Sequence, residues 1–253
     1  MSASGTGGGI EVLLRSLKLP SFVRVWGEVA EQAEREGWGF ERYLHQLAEI
    51  EIEERRVRRI ERLRKRSGLP HDKTLSTLEL SRLPAPVRRR VPTLCDGTFV
   101  ERAENILAFG LPGRGKTHLV SAIGHELVER GVAVLFLPAF KLVQRLLVAK
   151  RELELEAILR RLDRFEVVIL DDIGYVQQSR EEMEVLFTFL SERYERRSLM
   201  ITSNLLFSEW DKIFKDPMTT AAAIDRLVHH SVILELDNES YRAKQARKNQ
   251  PKG

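Results

Sequence analysis

The N-terminal part of the chain has the periodicity of amphipathic helices. Apolar residues recur every three or four positions over residues 40–66, a stretch without Gly or Pro, which predicts one long helix. Two shorter helices are predicted before it, over residues 11–19 and 22–36, and Gly37 is a suitable C-cap for the second. The pattern therefore predicts a small all-helical domain over residues 10–67.

From about residue 101 the pattern changes to short apolar runs that alternate with amphipathic stretches. Runs that are apolar at nearly every position are typical of strands buried on both faces of a parallel sheet. The stretches between them, such as residues 117–129 and 180–196, have helical periodicity. This alternation favours an α/β fold in which helices flank a parallel sheet. The predicted strands are 105–109, 132–137, 167–170, 199–203 and 232–236.

The remaining segments contain few regular apolar positions. Residues 68–100 carry four prolines and are interpreted as a linker. Residues 1–9 are rich in Gly and Ser, without the apolar core of a signal peptide, and we expect a flexible leader there. The α/β domain is assigned to residues 101–242, and residues 243–253 are expected to form a basic tail.

Composition excludes several classes of protein. The chain has 253 residues, of which 43% are hydrophobic and 31% are charged, and such values are unlike those of disordered or collagen-like chains. Its longest apolar run is far shorter than the roughly 20 residues that cross a bilayer, so no membrane association is expected. With Cys95 as the only cysteine, an intrachain disulfide and a Cys-rich zinc site are excluded, and a reducing, cytoplasmic location is expected.

The net charge is only +4, but the basic residues are clustered. Eight of the twelve residues in 55–66 are Arg or Lys, and we call this segment the basic stripe. Because each phosphate neutralised by such a stripe releases a counterion, we expect duplex DNA to bind here, largely through its backbone and shape. The alternative is a solvated helix whose charge is neutralised by acids of the same fold, such as Glu51 and Glu54. The candidate DNA-binding residues are Arg55, Arg56, Arg58, Arg59, Arg62, Arg64, Lys65 and Arg66.

The strongest indication of chemistry is the sequence Gly-Leu-Pro-Gly-Arg-Gly-Lys-Thr at residues 110–117. It matches GxxxxGK[ST] between a predicted strand and a predicted helix, which is the context in which such a loop binds phosphates. Backbone N–H groups and Lys116 would contact the phosphates, and Thr117 would ligate Mg²⁺. The cofactors predicted are therefore ATP and Mg²⁺. The nucleotide-binding residues expected here are Gly110, Leu111, Pro112, Gly113, Arg114, Gly115, Lys116, Thr117 and His118.

Polar residues follow two other predicted strands. Asp171 and Asp172 come directly after the run 167–170, and Asn204 follows the run 199–203. The carboxyl ends of parallel strands meet at one edge of a sheet, so these side chains are expected beside the phosphate-binding loop. We expect Asp171 to hold Mg²⁺ through water and Asp172 to orient or activate the attacking water. Asn204 could hydrogen-bond the γ-phosphate or that water.

Two arginines near the end of the chain are further candidates. Arg226 lies on a predicted helix before the last strand and could reach a nucleotide held by a neighbouring copy, as an arginine finger. Arg242 follows the last strand and could contact the γ-phosphate in its own chain. His229 and His230 are not expected to bind a metal, because adjacent side chains on a helix point about 100° apart.

Taken together, these motifs make the chain resemble the IstB-type AAA+ ATPases, the transposition helper proteins of bacterial insertion sequences. The resemblance covers residues 10–245 and is carried by the strings GLPGRGKTHLV, VVILDDIGY, RYERRSLMITSN, AAAIDRLVHH and ESYR. These proteins are in turn similar to the DnaC-type helicase loaders. The resemblance implies a P-loop NTPase core of the AAA+ type with a parallel sheet flanked by helices.

The resemblance also implies a role for each candidate residue. One position departs from the pattern, because the family usually has Asp-Glu in Walker B and this chain has Asp-Asp. The carboxylate of Asp172 is one methylene shorter, so slow ATP hydrolysis, modulated by DNA or a partner, is expected. By resemblance, residues 110–117 are Walker A, Asp171 and Asp172 are Walker B, Asn204 is sensor 1, Arg226 is the arginine finger and Arg242 is the sensor 2 residue.

The function implied is that of an ATPase that assembles on duplex DNA and presents target DNA to a cognate transposase during DNA transposition, a form of DNA recombination. ATP would bridge the copies of a homo-oligomer, since Arg226 comes from a neighbour, and hydrolysis would control assembly. Three alternatives stay open at this point. They are a DnaC-like loader of the replicative helicase, a P-loop kinase for a small metabolite, and a nucleotide-binding scaffold with negligible turnover.

Overall fold

The computed structural model describes residues 7–175, 179–205, 209–210 and 217–237. The chain separates into two compact units, with the division between Arg62 and Leu63. Among the described residues, no helix combines the length and the hydropathy that crossing a membrane requires.

The first unit is helical, as predicted. Val25, Val29 and Leu47 form its buried core. Gly37 ends the second helix in the left-handed conformation (φ 64°), as expected of a C-cap. The first helix begins earlier than predicted and includes residues 7–9 of the expected leader. The helices are α1 (Gly7–Ser16), α2 (Pro20–Glu36) and α3 (Phe40–Ser67), and α3 continues past the division between the units.

A buried carboxylate joins two helices of this unit. The side chain of Glu51 on α3 accepts the backbone N–H of Ser21, in the first turn of α2, at 2.8 Å and the Nε–H of Arg55 at 2.6 Å. It thereby satisfies one of the N–H groups that the start of a helix leaves unpaired. Burial alone would raise the pKa of Glu51, but the hydrogen bonds from Arg55 and Ser21 outweigh it and hold the pKa below its usual value.

The second unit is built on a five-stranded sheet in which every neighbouring pair is parallel. The strand order is β2-β3-β4-β1-β5. The interior strand β1, between β4 and β5, is buried at all five positions, which explains its nearly continuous apolar sequence. The α/β prediction is confirmed, and each strand lies within two residues of its predicted bounds. The strands are β1 (Asn105–Phe109), β2 (Val134–Pro138), β3 (Val167–Asp171), β4 (Ser198–Ser203) and β5 (Ser231–Glu235).

Helices connect and cover these strands. The two predicted with the sheet are present, although the second ends at Arg193, three residues earlier than expected. It begins with a capping box in which Ser179 and Glu182 bond each other's backbone N–H groups. The helices are α4 (Ala85–Asp96), α5 (Thr98–Glu101), α6 (Lys116–Glu129), α7 (Ala139–Arg151), α8 (Leu155–Leu162), α9 (Arg180–Arg193) and α10 (Pro217–Val228), with 3₁₀ turns at Leu80–Arg82 and Ile173–Tyr175.

Residues 68–100 are not the bare linker that their prolines suggested. They contain α4 and α5, and Val87, Val91 and Leu94 of α4 are buried. Pro86 stands in the first turn of α4, where a proline costs no helical hydrogen bond. Pro92 lies inside α4, so the helix forms in spite of one proline in its interior. The burial of apolar side chains of α4 therefore outweighs the local preference of Pro92 against a helix.

Candidate nucleotide-binding site

The predicted phosphate-binding loop connects β1 to α6 at the carboxyl edge of the sheet. Gly110, Gly113 and Gly115 all have positive φ angles, of 150°, 79° and 92°. A Cβ on Gly110 would collide with the carbonyl oxygen of Leu236, so this turn requires glycine. The loop therefore has the backbone freedom that its sequence predicts, and it ends at the N-terminus of α6, where an anion is favoured.

Lys116 is buried, with 5% of its surface exposed, and its ammonium group has oxygen partners. Nζ donates to the carbonyl oxygens of Gly110 at 2.6 Å and Leu111 at 3.1 Å, and to Oδ1 of Asn204 at 2.6 Å. The last contact joins the loop to the end of β4. A triphosphate in the loop would compete for these same donors.

Asp171 lies beside the loop at the end of β3. Its Oδ1 accepts hydrogen bonds of 2.8 Å from the hydroxyl groups of both Thr117 and Thr202. A hydroxyl oxygen next to a carboxylate is the kind of hard donor set that Mg²⁺ prefers. The chemistry of these residues thus suits the predicted ion. The sequence had not assigned Thr202 a role, although it is the first polar residue after the apolar run of β4.

Asp172 and Asn204 directly follow the adjacent strands β3 and β4 and line the same cavity. Nδ2 of Asn204 is 3.5 Å from Oδ1 of Asp172, a long hydrogen bond, and the backbone N–H of Asp172 donates to Oγ1 of Thr202 at 2.9 Å. Asp172 has a φ angle of 58°, in the left-handed region that Asp tolerates better than most residues. The structure thus brings together the two groups predicted to position water.

The cavity in front of the loop has a volume of about 480 Å³, within the range of small-molecule sites. One side is formed by residues 112–118, with Asp172 and Asn204. The opposite wall is formed by residues within 72–83, part of the segment that was interpreted as a linker. Sequence reasoning missed this wall, since the segment has no motif.

Two further predicted residues have different surroundings. The guanidinium group of Arg226 lies 4.8 Å from the ring centre of Phe187, and its Nη1 donates to the carbonyl oxygen of Ala222 at 3.3 Å. Arg226 does not line the cavity of its own chain. Nη1 of Arg114 donates to the carbonyl oxygen of Asp237 at 2.7 Å. Arg242 and the basic tail lie outside the described residues.

His229 and His230 lie in the turn that follows α10 and not on a helix, so the directions of side chains on a helix do not apply to them. Their ring centres are 4.2 Å apart, and with Glu195 they present ligand atoms within 4.8 Å of one another. All three side chains are exposed, and Nδ1 of His229 already has the hydroxyl of Tyr194 as a partner at 3.1 Å. This geometry alone does not identify a metal site.

The structure pairs part of the basic stripe with acids of α3 itself. Arg55 and Arg58 approach Glu51 at 2.6 Å and 3.6 Å, and Arg56 approaches Glu53 at 3.4 Å. Neutralising acids are therefore present, as the alternative interpretation of the stripe expects, while seven of its eight basic residues are exposed.

The C-terminal end of the stripe belongs to the second compact unit and has partners there. Arg64 forms an ion pair of 2.5 Å with Glu129 at the end of α6, and the guanidinium of Arg66 lies 5.7 Å from the ring centre of Phe165. Such exposed contacts contribute little stability, so they do not prevent these side chains from turning to a phosphate.

Comparisons with known proteins agree with this arrangement. The family model described as IstB-like ATP binding protein matches residues 12–249. An insertion sequence ATP-binding protein of Sinorhizobium fredii is 47% identical over 236 residues, which is 93% of this chain and 79% of that protein. The ATP-binding protein of insertion sequence IS21 from Pseudomonas aeruginosa is 39% identical over 94% of this chain and 90% of its own length.

Solved structures show the same fold at low sequence identity. DnaI matches with a TM-score of 0.56 at 20% identity, over 67% of this chain and 95% of its own. The DnaC helicase loader matches with a TM-score of 0.53 at 18% identity, over 70% of this chain and 99% of its own. The expected fold, a parallel sheet flanked by helices, is thereby confirmed.

Proposed function

The chain belongs to the family of IstB-like ATP binding proteins, and we propose that it is an ATPase that couples ATP binding to assembly on duplex DNA in transposition. The observation that carries this proposal is that four predicted groups meet beside the cavity, three of them in its lining. Lys116 bonds Asn204, and Thr117 bonds Asp171, across three strands of the sheet. The names of the relatives, as insertion sequence proteins, support the link to transposition.

ATP would bind with its phosphates in the loop of residues 110–117. Lys116 would exchange its present oxygen acceptors for the β- and γ-phosphate oxygens, and Thr117 and Asp171 would hold Mg²⁺, the latter through water. When bound, Mg²⁺ supplies positive charge that neutralises the charge developing on the phosphates.

Hydrolysis would depend on Asp172 and Asn204, which both line the cavity and would orient a water molecule there. Because the side chain of Asp172 is short and its contact with Asn204 is long, at 3.5 Å, we infer slow turnover that DNA or a partner protein modulates. A pure binding scaffold would show no turnover under any of these conditions.

Assembly of several copies into an oligomer would depend on Arg226. Since this arginine does not line the cavity of its own chain, it is available to contact the nucleotide of a neighbouring copy. A ligand that bridges two copies stabilises only the assembled form. ATP would thus hold a homo-oligomer together, and loss of the γ-phosphate would loosen it.

The DNA contact would be made by the basic stripe, largely without sequence preference, in the cytoplasm and together with a cognate transposase. The exposure of seven of its eight basic residues supports contacts to phosphates. The assembled protein would present the target duplex to the transposase.

Loading of a replicative helicase is the second candidate, and the likeness of fold to the DnaC helicase loader favours it. A loader would prefer single strands, whereas a transposition helper would prefer duplex. Comparing the affinities for the two DNA forms in the presence of ATP separates these candidates.

The proposed activity is tested by phosphate release from ATP, with and without duplex DNA, for the native chain and Lys116→Ala. We expect measurable release that depends on DNA in the native chain and none in the variant. Equal release from both proteins would contradict the proposed site, and transfer of phosphate to a small acceptor instead of water would identify a kinase.

A further inference from the structure

The ring of His118 contacts a turn on the opposite wall of the nucleotide cavity. His118 is the third residue of α6, directly after Thr117. Its Nε2 lies 3.2 Å from the carbonyl oxygen of Thr74 and 3.1 Å from Oγ1 of Thr77. The ring therefore spans from the phosphate-binding loop to the segment 72–77.

The partners of the ring determine where its proton lies. The carbonyl of Thr74 can only accept a hydrogen bond. The hydroxyl of Thr77 has carbonyl acceptors within the turn, at 2.8 Å from Asp72 and 3.1 Å from Thr74. Both neighbours of Nε2 are thus acceptors, so Nε2 of His118 carries the proton and donates it. This holds for the neutral ring with its proton on Nε2 and for the imidazolium alike.

The turn itself is organised by Thr77. Its Oγ1 accepts the backbone N–H of Thr74 at 3.0 Å while also contacting His118, and the backbone N–H of Thr77 donates to the carbonyl of Thr74 at 3.3 Å. The turn is therefore held together by its own hydrogen bonds. At this point the imidazole ring of His118 joins the turn to α6.

Two turns further along α6, the same face of the helix contacts Leu69 and Pro70, which precede the turn in the chain. Nε2 of His125 lies 3.0 Å from the carbonyl oxygen of Pro70, and Leu69 packs on Gly124. A Cβ on Gly124 would come within 2.9 Å of the side-chain ends of Leu69 and Ile169, so glycine allows this close approach without a shift of either side chain. These contacts lie outside the cavity lining, which makes His125 a matched control for His118.

We propose that His118 is a positioning residue for the nucleoside part of the ligand, acting through the turn that it holds. With the phosphates at Lys116 and Thr117, the base and ribose must extend into the remaining cavity, whose far wall is the segment 72–83. The bond from His118 fixes the distance between this wall and the loop. The inference rests on the proposed binding of ATP and gives His118, which the sequence predicted only as a nucleotide-binding residue, an indirect role in the affinity through the turn.

Four variants of the full chain test this. The amide nitrogen of Gln reaches as far as Nε2 of His, whereas that of Asn reaches only as far as Nδ1. His118→Ala and His118→Asn should therefore weaken binding of a fluorescent ATP analogue about tenfold, the effect of losing one hydrogen bond, and His118→Gln should restore most of it. His125→Ala removes the same kind of bond outside the cavity and should leave the affinity within about twofold of the native value.

A second measurement needs no nucleotide. Trypsin cleavage after Lys73, within the turn, should be faster in His118→Ala and His118→Asn than in the native chain and His118→Gln. Unchanged affinity and unchanged cleavage in His118→Ala would overturn the proposal. Equal loss of affinity in the Gln and Asn variants would also overturn it, since the ring would then act directly. If the native chain binds no nucleotide, the proposed function fails, and the cleavage pattern still decides whether His118 holds the turn.

Discussion

The hydroxyl of Thr117 and the carboxylate of Asp171 are joined by a hydrogen bond of 2.8 Å, although the two residues lie 54 positions apart in the chain. They meet because parallel strands bring the loop after β1 and the end of β3 to one edge of the sheet. Thr202 of the strand between them bonds the same carboxylate oxygen. The candidate site is therefore held together by the core of the fold.

Replacing Asp171 by Asn tests the proposed place of the ion. The amide keeps the size of the side chain but removes the charge that would hold Mg²⁺ through water. We expect hydrolysis to fall about 100-fold and nucleotide affinity to lose its dependence on Mg²⁺. Titration of an ATP analogue with and without Mg²⁺ measures this, with Thr202→Ser as the control that keeps the hydroxyl. An unchanged Mg²⁺ dependence in Asp171→Asn would place the ion elsewhere.

Lengthening the second carboxylate tests the account of slow turnover. Asp172→Glu adds one methylene toward the cavity, so we expect the rate of ATP hydrolysis to rise about tenfold, whereas Asp172→Asn should abolish it. Glu tolerates the left-handed backbone at this position less well than Asp, so a slightly lower melting temperature is expected too. A steady-state rate that falls in the Glu variant would show that chain length is not what limits hydrolysis.

The buried carboxylate of Glu51 predicts a pH dependence of the helical unit. Its pKa is lowered in the folded protein, so its contribution to stability is present above the unfolded pKa of about 4.5 and is lost as the pH falls through the folded value. Glu51→Gln should reduce the free energy of unfolding at pH 7 by about 1–3 kcal/mol, and this difference should shrink at acid pH. Denaturant unfolding of the full chain across this range measures it. If the difference in unfolding free energy between the native chain and Glu51→Gln instead grew as the pH fell, this explanation would be contradicted.

Arg193 predicts a purely structural effect. It is 2% exposed, and although burial lowers its pKa to about 9, it stays charged at pH 7. Arg193→Met should cost about 3 kcal/mol of unfolding free energy, because it leaves buried carbonyls without a donor. Arg197→Met, at a half-buried arginine whose ion pair with Asp163 is 3.8 Å long, should cost less than about 1 kcal/mol. Equal effects of the two substitutions on the denaturation midpoint would refute this role of Arg193. The carbonyls that Arg193 bonds belong to Leu162, Phe165, Glu166 and Ser198.

The sequence predicted the sheet and the loop well for a physical reason. Strands buried on both faces are apolar at nearly every position, and a loop that wraps phosphates needs glycines at fixed places, so both leave a local signal. The ion pair of Arg55 with Glu51 also has a local signal, since four residues separate the partners on one helix.

The far wall of the cavity left no such signal. Its turn is held by backbone carbonyls and by His118, which stands more than 40 positions away in the chain. Helix α4 was missed because Pro92 in its interior is unfavourable locally, whereas the burial of residues such as Val87 and Val91 that stabilises it depends on the tertiary structure. Contacts of this kind depend on tertiary structure and could not be derived from periodicity.

Arg226 and the basic stripe provide separate tests of assembly and of DNA binding. Arg226→Ala should keep the nucleotide affinity of the monomer but lose ATP-dependent association, as seen by light scattering. Reversing Arg58, Arg59 and Arg62 to Glu should weaken DNA binding and flatten its dependence on salt. Weak nucleotide binding by the Arg226→Ala monomer would place this arginine in its own site, and an unchanged salt slope would move the DNA contact elsewhere.

The most direct test of the central claim is the mass of the protein bound to a duplex, measured by sedimentation in ATP and in ADP. Our account predicts large complexes of many copies in ATP, their loss in ADP, and none for Lys116→Ala in either nucleotide. Complexes of the same size without nucleotide, or with Lys116→Ala, would contradict the claim that ATP in the loop of residues 110–117 holds the assembly on DNA.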